Sequence, residues 1–284
     1  MTGTAGATIG VDIGGTRVRV GRRDGSGGLH VERTFVPEEG AALAALIIEM
    51  ARRVAPEGIA RVGVSAPGPV DFAAGVVNKL GKPGWHGYPL IPELSRQLGA
   101  PTIMDNDANC AALGEWREGA GQGAKTLVYY TISTGVGTGV IIDGHIHHGT
   151  HDTEGGHQIV WLDGPPCPCG GRGCLEAVVS GTALQMRFGK PAEELDDPAI
   201  WDEVAKYIAV GVINTAALLC PDIVVIDGGV LARGAQLFAP IRRYTTEYTR
   251  IVPVPAIVPA GLGEDSGLIG ALVLAETRLA APAS

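Results

Sequence analysis

Two stretches of the chain share one grammar: Thr8-Ile-Gly-Val-Asp-Ile-Gly-Gly-Thr-Arg-Val-Arg-Val20 and Val128-Tyr-Tyr-Thr-Ile-Ser-Thr-Gly-Val-Gly-Thr-Gly-Val-Ile-Ile142. Each reads as a strand, a glycine- and hydroxyl-rich turn and a second strand, because short runs of Val, Ile and Thr favour the pleated backbone and the glycines break it into a hairpin. Gly14 and Gly15 are expected to supply the positive φ that a tight hairpin demands. Openings of this kind about 120 residues apart predict a duplicated α/β domain.

The periodicity after each hairpin agrees. A third strand at Leu29 to Phe35, a helix from Glu39 to Arg53, a strand at Arg61 to Ser65 and a helix at Leu90 to Leu98 follow the first. A strand at Pro101 to Met104 then leads into an alanine-rich helix from Ala108 to Arg117. The second half repeats the scheme with strands at Lys125 to Ile132, Thr138 to Ile142 and Ile223 to Ile226, and a long helix from Ala199 to Leu219. The expected domains are therefore 1–118 and 119–266, linked near Gly119 to Gly123, with the closing helix (267–284) packing back on the first. The cleft between them is the expected ligand site.

Length and composition bound the function. The chain has 284 residues, enough for two domains, and 45% of them are hydrophobic, enough for two cores. Only 18% are charged and the formal net charge is −8, so no basic stripe exists to neutralise a phosphate backbone and nucleic acid is not an expected partner. Met1 to Gly10 lacks the basic start and apolar run of a signal peptide, and the apolar segment Ile208 to Leu219 is interrupted by Asn214 and Thr215. No membrane association and a cytoplasmic location follow. Of five cysteines, Cys167, Cys169 and Cys174 are clustered, which suits metal thiolates in a reducing compartment better than disulfides. Cys110 and Cys220 read as core residues of apolar helices.

With His157, those three cysteines can enclose a tetrahedral Zn²⁺, closed against water and hence structural. Glu154 and Glu176 flank the cluster. They are either surface glutamates or acceptors for adjacent sugar hydroxyls, since an imidazole bound to zinc through one nitrogen leaves the other free to hydrogen-bond. Asp12-Ile-Gly-Gly-Thr16 puts a carboxylate, bare backbone N–H groups and a hydroxyl on one turn, a place for phosphate oxygens and for Mg²⁺ held through water. Ser133-Thr134-Gly135-Val136-Gly137 repeats the device, and the bland reading of either is a turn capped by its own side chain. Asp107, in Asn106-Asp107-Ala108-Asn109, is either a helix N-cap or a carboxylate at a strand's carboxyl end positioned to accept a proton. Ser65 to Asp71 and Asn78 to Trp85 form turn-rich stretches, with Trp85 in the core or beside a sugar loop. Val225-Ile-Asp-Gly-Gly-Val230 ends a strand with paired glycines, a structural turn or a bed for a flat adenine.

These motifs in this order resemble the ROK family of sugar kinases and related repressors, within the actin-like, ribonuclease-H-like ATPase superfamily. The resemblance spans Ile9 to about Ala271 and is most specific at Glu154-x-x-His157 followed by Cys167-x-Cys-Gly-x-x-Gly-Cys174-x-Glu176. It implies two ribonuclease-H-like domains and ATP-dependent phosphorylation of a hexose, glucose first, at its 6-hydroxyl. Kinases for fructose, mannose, N-acetylglucosamine or N-acetylmannosamine, and a non-catalytic sugar sensor, are the alternatives. Asp107 is then the general base, and Gly68, Asn78, Asn106, Glu154, His157 and Glu176 join it in binding the sugar. Asp12, Gly14, Gly15, Thr16, Thr134, Gly135 and Gly137 hold Mg-ATP, with Gly228 and Gly229 beside the adenine. The resemblance also implies a homodimer or homotetramer. Two positions depart from the family pattern: Ser133 stands where glycine is usual in the second hairpin, and Thr153 where glycine often precedes the first glutamate. Family repressors carry an amino-terminal helix-turn-helix, for which the first hairpin, starting at Thr8, leaves no room.

Overall fold

The computed structural model describes residues 6–72, 74–78, 83–233 and 235–279. The chain divides into two compact units, one made of the chain through Arg117 together with Glu264 onward, the other Glu118–Gly263.

The first unit begins with β1 (Ala7–Ile13), β2 (Arg17–Arg23), β3 (Leu29–Phe35), α1 (Gly40–Val54) and β4 (Ile59–Ala66). A two-residue ribbon, β5 (Val70–Asp71) and β6 (Val76–Val77), precedes α2 (Leu90–Leu98), β7 (Thr102–Asn106) and α3 (Asp107–Glu118). The sheet order is β3-β2-β1-β4-β7, antiparallel from β3 to β1 and parallel from β1 to β7. Alternation decides the faces. Ile9, Val11, Ile13, Val62 and Val64 are fully buried in one core with Leu43, Ile47 and Ala51 of α1, each large aliphatic contributing about 1.5–3 kcal/mol by leaving water.

The second unit contains β8 (Thr126–Ile132), β9 (Val136–Ile142), β10 (His145–Ile146), α4 (Leu175–Val179), α5 (Gly181–Phe188), α6 (Pro198–Leu219), β11 (Ile223–Asp227), α7 (Ala235–Tyr248) and β12 (Ala256–Pro259). Its sheet runs β10-β9-β8-β11-β12, again antiparallel through the hairpin and parallel beyond it. The duplication read from the two hairpins is thus a duplication of topology. Helix α6 starts where Asp197 accepts the Ala199 N–H (2.8 Å) ahead of Pro198, and it stops at Cys220, which adopts a left-handed φ of 44°. No helix among the described residues is long and apolar enough to cross a membrane.

The last helix, α8 (Ser266–Arg278), belongs to the first unit and packs on β1, β4 and β7. Close approach is bought with glycine: a Cβ on Gly63 would stand 1.9 Å from the Ala271 carbonyl oxygen, and one on Gly10 2.9 Å from that of Leu268. The first-unit sheet therefore carries aliphatic side chains on one face and, on the face beneath α8, glycines followed by the polar side chains of Asp12, Arg19 and Ser65.

Two expectations are corrected. Neither Gly14 nor Gly15 has a positive φ; the turn is closed by the Gly14 N–H on the Arg17 carbonyl (2.8 Å), and a Cβ on Gly14 would meet that same oxygen at 3.2 Å. Crowding, rather than backbone handedness, calls for glycine at position 14. Cys220 is exposed rather than buried, because it terminates α6 instead of continuing its apolar face.

Candidate functional site

In the first unit, β7 hands over directly to α3. Asn106 Oδ1 accepts the Ala108 N–H at 2.9 Å and caps the helix, while Asp107 Oδ1 accepts the same N–H at 2.8 Å as the first helical residue. The helix terminus favours a carboxylate there. Asp105 is buried beneath them and accepts the Asn106 N–H and an Asn109 Nδ2–H, each at 2.8 Å, which fixes the junction. Gly68 lies against Asn106, for a Cβ on it would come within 2.9 Å of Asn106 Nδ2. Asn78 joins the same loop, donating its N–H to Pro69 (3.0 Å) and accepting the Gly87 N–H (2.9 Å). The structure thus gathers Gly68, Asn78, Asn106 and Asp107. Trp85 is core, its indole donating to the Pro37 carbonyl at 3.2 Å; residues 79–82 of that stretch lie outside the described residues.

Asp12 lies on β1 directly opposite Arg19 of β2. Its Oδ2 accepts from Arg19 Nη2 (2.8 Å) and Nε (3.2 Å), and its Oδ1 accepts the Ser65 hydroxyl (2.8 Å). Arg19 also reaches Asp265 through Nη1 (3.1 Å) and donates to the Glu264 carbonyl. Both carboxylate oxygens being engaged, the site fits a hydrated Mg²⁺ whose waters Asp12 accepts, since Mg²⁺ gives up its waters reluctantly. Gly15 and Thr16 are exposed at the turn above it.

The second unit builds a glycine cradle. The turn Ser133–Gly135 is closed by the Ser133 N–H on the Gly135 carbonyl (2.9 Å) and is tied to α5 by the Gly181 N–H on the Ser133 carbonyl (2.7 Å). Gly137 falls inside β9, paired with Thr131, rather than in the turn. Gly228 has φ 111° and leaves no space, because a Cβ would sit 2.2 Å from the Ile132 carbonyl oxygen. Asp227 braces it, accepting the Gly228 N–H (2.7 Å) and the Tyr129 hydroxyl (3.0 Å). Ser133, Thr134, Gly181, Thr182, Gln185 and Gly229 are among the residues lining a cavity of about 290 Å³ here. Its lining combines glycines and hydroxyl side chains, which can donate to phosphate oxygens, with Pro191, Ala192 and Val230 on the apolar side and the Glu193 carboxylate at one place.

Beside it, Gly155–His157 forms a short 3-10 turn anchored by the Gly155 N–H on the Thr138 hydroxyl (2.9 Å). His157 turns Nδ1 toward Cys167 Sγ (3.6 Å) and Nε2 toward Glu154 Oε2 (3.9 Å). Cys169 and Cys174 sulfurs are 3.7 Å apart, and one ligand atom from each of the four residues lies within 4.8 Å of the others. A tetrahedral zinc with Zn–S near about 2.3 Å sets sulfurs about 3.8 Å apart, so the donor set fits that ion. Burial pushes the Cys174 thiol up to about 12 and raises that of Cys167, whereas the Gly171 N–H lowers that of Cys169. A dication bound there would supply the charge that such crowded thiolates need. Glu176, in α4, accepts the Val136 N–H at 2.9 Å through Oε2. Sequence reasoning missed Arg19, Ser65 and Asp227, of which only the Asp12–Arg19 pairing has a sequence signal, the register of the hairpin.

A model of the ROK family matches residues 8–278. A glucokinase of Thermotoga maritima is 34% identical over 95% of this chain and 98% of its own length. Among solved structures, a ROK hexokinase from Thermus thermophilus superposes with a TM-score of 0.86 at 32% identity, covering 96% of this chain and 98% of its own. A ROK family glucokinase from Streptomyces griseus, in complex with glucose and AMPPNP, superposes with a TM-score of 0.77 at 31% identity, covering 95% and 99%.

Proposed function

We propose, since this chain belongs to the ROK family, that it is an ATP-dependent hexose 6-kinase whose first substrate is glucose. The placement of Asp107 carries the reading: a half-buried carboxylate at the carboxyl end of β7, with Asn106 capping the helix beside it and Gly68 against Asn106. Asp107 takes the proton of the sugar 6-hydroxyl as that oxygen bonds to the γ-phosphorus and the bond to the ADP oxygen breaks. Asn106, Gly68, Asn78, Glu154, His157 and Glu176 are the residues assigned to the ring hydroxyls. Glucose and AMPPNP in the Streptomyces griseus relative support both substrates.

Gly14, Gly15, Thr16, Thr134, Gly135 and Gly137 hold the triphosphate by backbone and hydroxyl donors, and Gly228 and Gly229 border the adenine. Asp12 would hold Mg²⁺ through water, where the ion would offset charge on the phosphates. His157, Cys167, Cys169 and Cys174 hold a structural zinc, which fixes the imidazole with Nε2 turned to the sugar. The enzyme acts in the cytoplasm as a homodimer or homotetramer, a state that sedimentation equilibrium measures.

ADP release with glucose and Mg-ATP tests the reading. Asp107→Asn is expected to lose at least about 10²-fold in kcat while glucose still binds. Turnover near wild type in that variant would sink the assignment. The same assay with fructose, mannose, the N-acetylated amino sugars and polyphosphate ranks sugars and donors, and a chain that binds glucose without releasing ADP is a sensor.

A further inference from the structure

The Asp12 carboxylate faces a cation that already belongs to the protein. Asp12 and Arg19 are both largely withdrawn from solvent, with side-chain exposures of 16% and 17%. Arg19 has its Nε and Nη2 on one oxygen, Oδ2. The second carboxylate within reach, Asp265, takes Nη1, and the Glu264 carbonyl takes Nη2 as well. Asp265 is the N-cap residue of α8 yet makes no side-chain cap, because its carboxylate is turned to Arg19 instead. One guanidinium thus stands between two carboxylates at the start of α8, where a Cβ on Gly267 would lie 2.6 Å from Asp12 Oδ1.

We propose that Arg19 is the resident counter-cation of Asp12: it neutralises the carboxylate so that the free protein collects no divalent ion there, and the metal enters only with the nucleotide. Asp12 Oδ2 is committed to Arg19, whereas Oδ1 holds only the Ser65 hydroxyl and keeps a lone pair for a metal-bound water. Without Arg19, the largely withdrawn Asp12 carboxylate keeps only the Ser65 hydroxyl, and Asp265, half-exposed at the start of α8, loses the same guanidinium; an uncompensated carboxylate as withdrawn as Asp12 is costly enough to recruit a cation from solution. Arg19 is accordingly a positioning residue, acting on the metal through Asp12. The inference rests on Asp12 being the Mg²⁺ carboxylate of the proposed reaction.

Mn²⁺ titration of the zinc-loaded, nucleotide-free and sugar-free protein, read by electron paramagnetic resonance, tests it. Arg19→Gln is expected to bind one Mn²⁺ per chain at least about tenfold more tightly than wild type, with a rise in melting temperature on Mn²⁺ addition that wild type lacks. Arg19→Lys keeps a cation in place and behaves as wild type, and Asp12→Asn in the Arg19→Gln background removes the gain. Equal Mn²⁺ binding by folded Arg19→Gln and wild type overturns the proposal, as does a gain that survives Asp12→Asn. A second measurement needs no Arg19 variant. Asp12→Asn alone should leave Mn²⁺ binding by the free protein unchanged and weaken that of Mn-AMPPNP; loss of Mn²⁺ binding by the free protein would overturn the proposal. Failure here in a chain that releases ADP removes only this inference, while a chain with the Mn²⁺ gain and no ADP release loses the kinase reading instead.

Discussion

Glu176 Oε2 accepts the backbone N–H of Val136 at 2.9 Å, so a carboxylate assigned to the sugar also braces the second glycine hairpin. A Cβ on Gly135 would lie 2.6 Å from that same oxygen. In the proposed reaction sugar and triphosphate would share this support. Glu176→Ala should raise KM for both glucose and ATP, by about 10- to 100-fold together, the cost of a lost charge-assisted bond and an unpaired N–H. Steady-state kinetics with each substrate varied measures it; a change confined to glucose would show that the brace is dispensable.

Gly228 is fixed twice, by φ 111° and by the Ile132 carbonyl 2.2 Å from any Cβ. Gly228→Ala should cost about 1–3 kcal/mol of stability and weaken nucleotide binding more than glucose binding. Thermal denaturation and titration with AMPPNP report the two effects separately.

Thiol chemistry should read the metal site. In zinc-loaded protein only Cys220 should react quickly with a disulfide reagent, being exposed and outside the cluster. A strong chelator should then release Cys167, Cys169 and Cys174. Cys110 should react only on unfolding, since burial holds its thiol far above the ordinary range. Folding favours the neutral Cys110 thiol, so its contribution is complete below the usual thiol value and is lost progressively as pH rises from there through the higher folded one.

Gly63 lets α8 sit on β4, with the Ala271 carbonyl 1.9 Å from where a Cβ would stand. Gly63→Ala should destabilise the first unit by about 1–3 kcal/mol. Hydrogen exchange should show the loss in α8 and β4 and leave α6 protected.

Much of this was legible from periodicity. β1, β3 and helices α1 and α2 fall within a residue or two of where alternation and 3.6-residue spacing place them, while β2 runs to Arg23, three residues past the Val20 end read for the hairpin. β12 was not legible: Ala256–Pro259 is four residues long with Pro253, Pro255 and Pro259 in and around it, which argues against a strand. It forms because it is an edge, paired only with β11, where missing N–H donors are tolerated. α7 was hidden by Pro240 inside it, and α5 by its brevity. At the candidate site, motifs supplied Asp107, His157 and the cysteines, but a motif is silent about second partners. Asn106 takes the cap that Asp107 was equally suited to, and Arg19 occupies Asp12, because hydrogen-bond partners are decided by packing across elements rather than along them.

The return of α8 to the first unit also orders events during synthesis. The second unit is a single continuous stretch, Glu118–Gly263, and draws on no residue outside it. The first unit, begun earlier, must wait with the glycine face of its sheet uncovered until residues 266–278 arrive, and Asp12, which abuts Gly267 of α8, acquires its surroundings last. The first strands of the protein thus complete their surroundings only with residues 266–278, and the turn that follows Asp12 depends on a helix made about 250 residues after it.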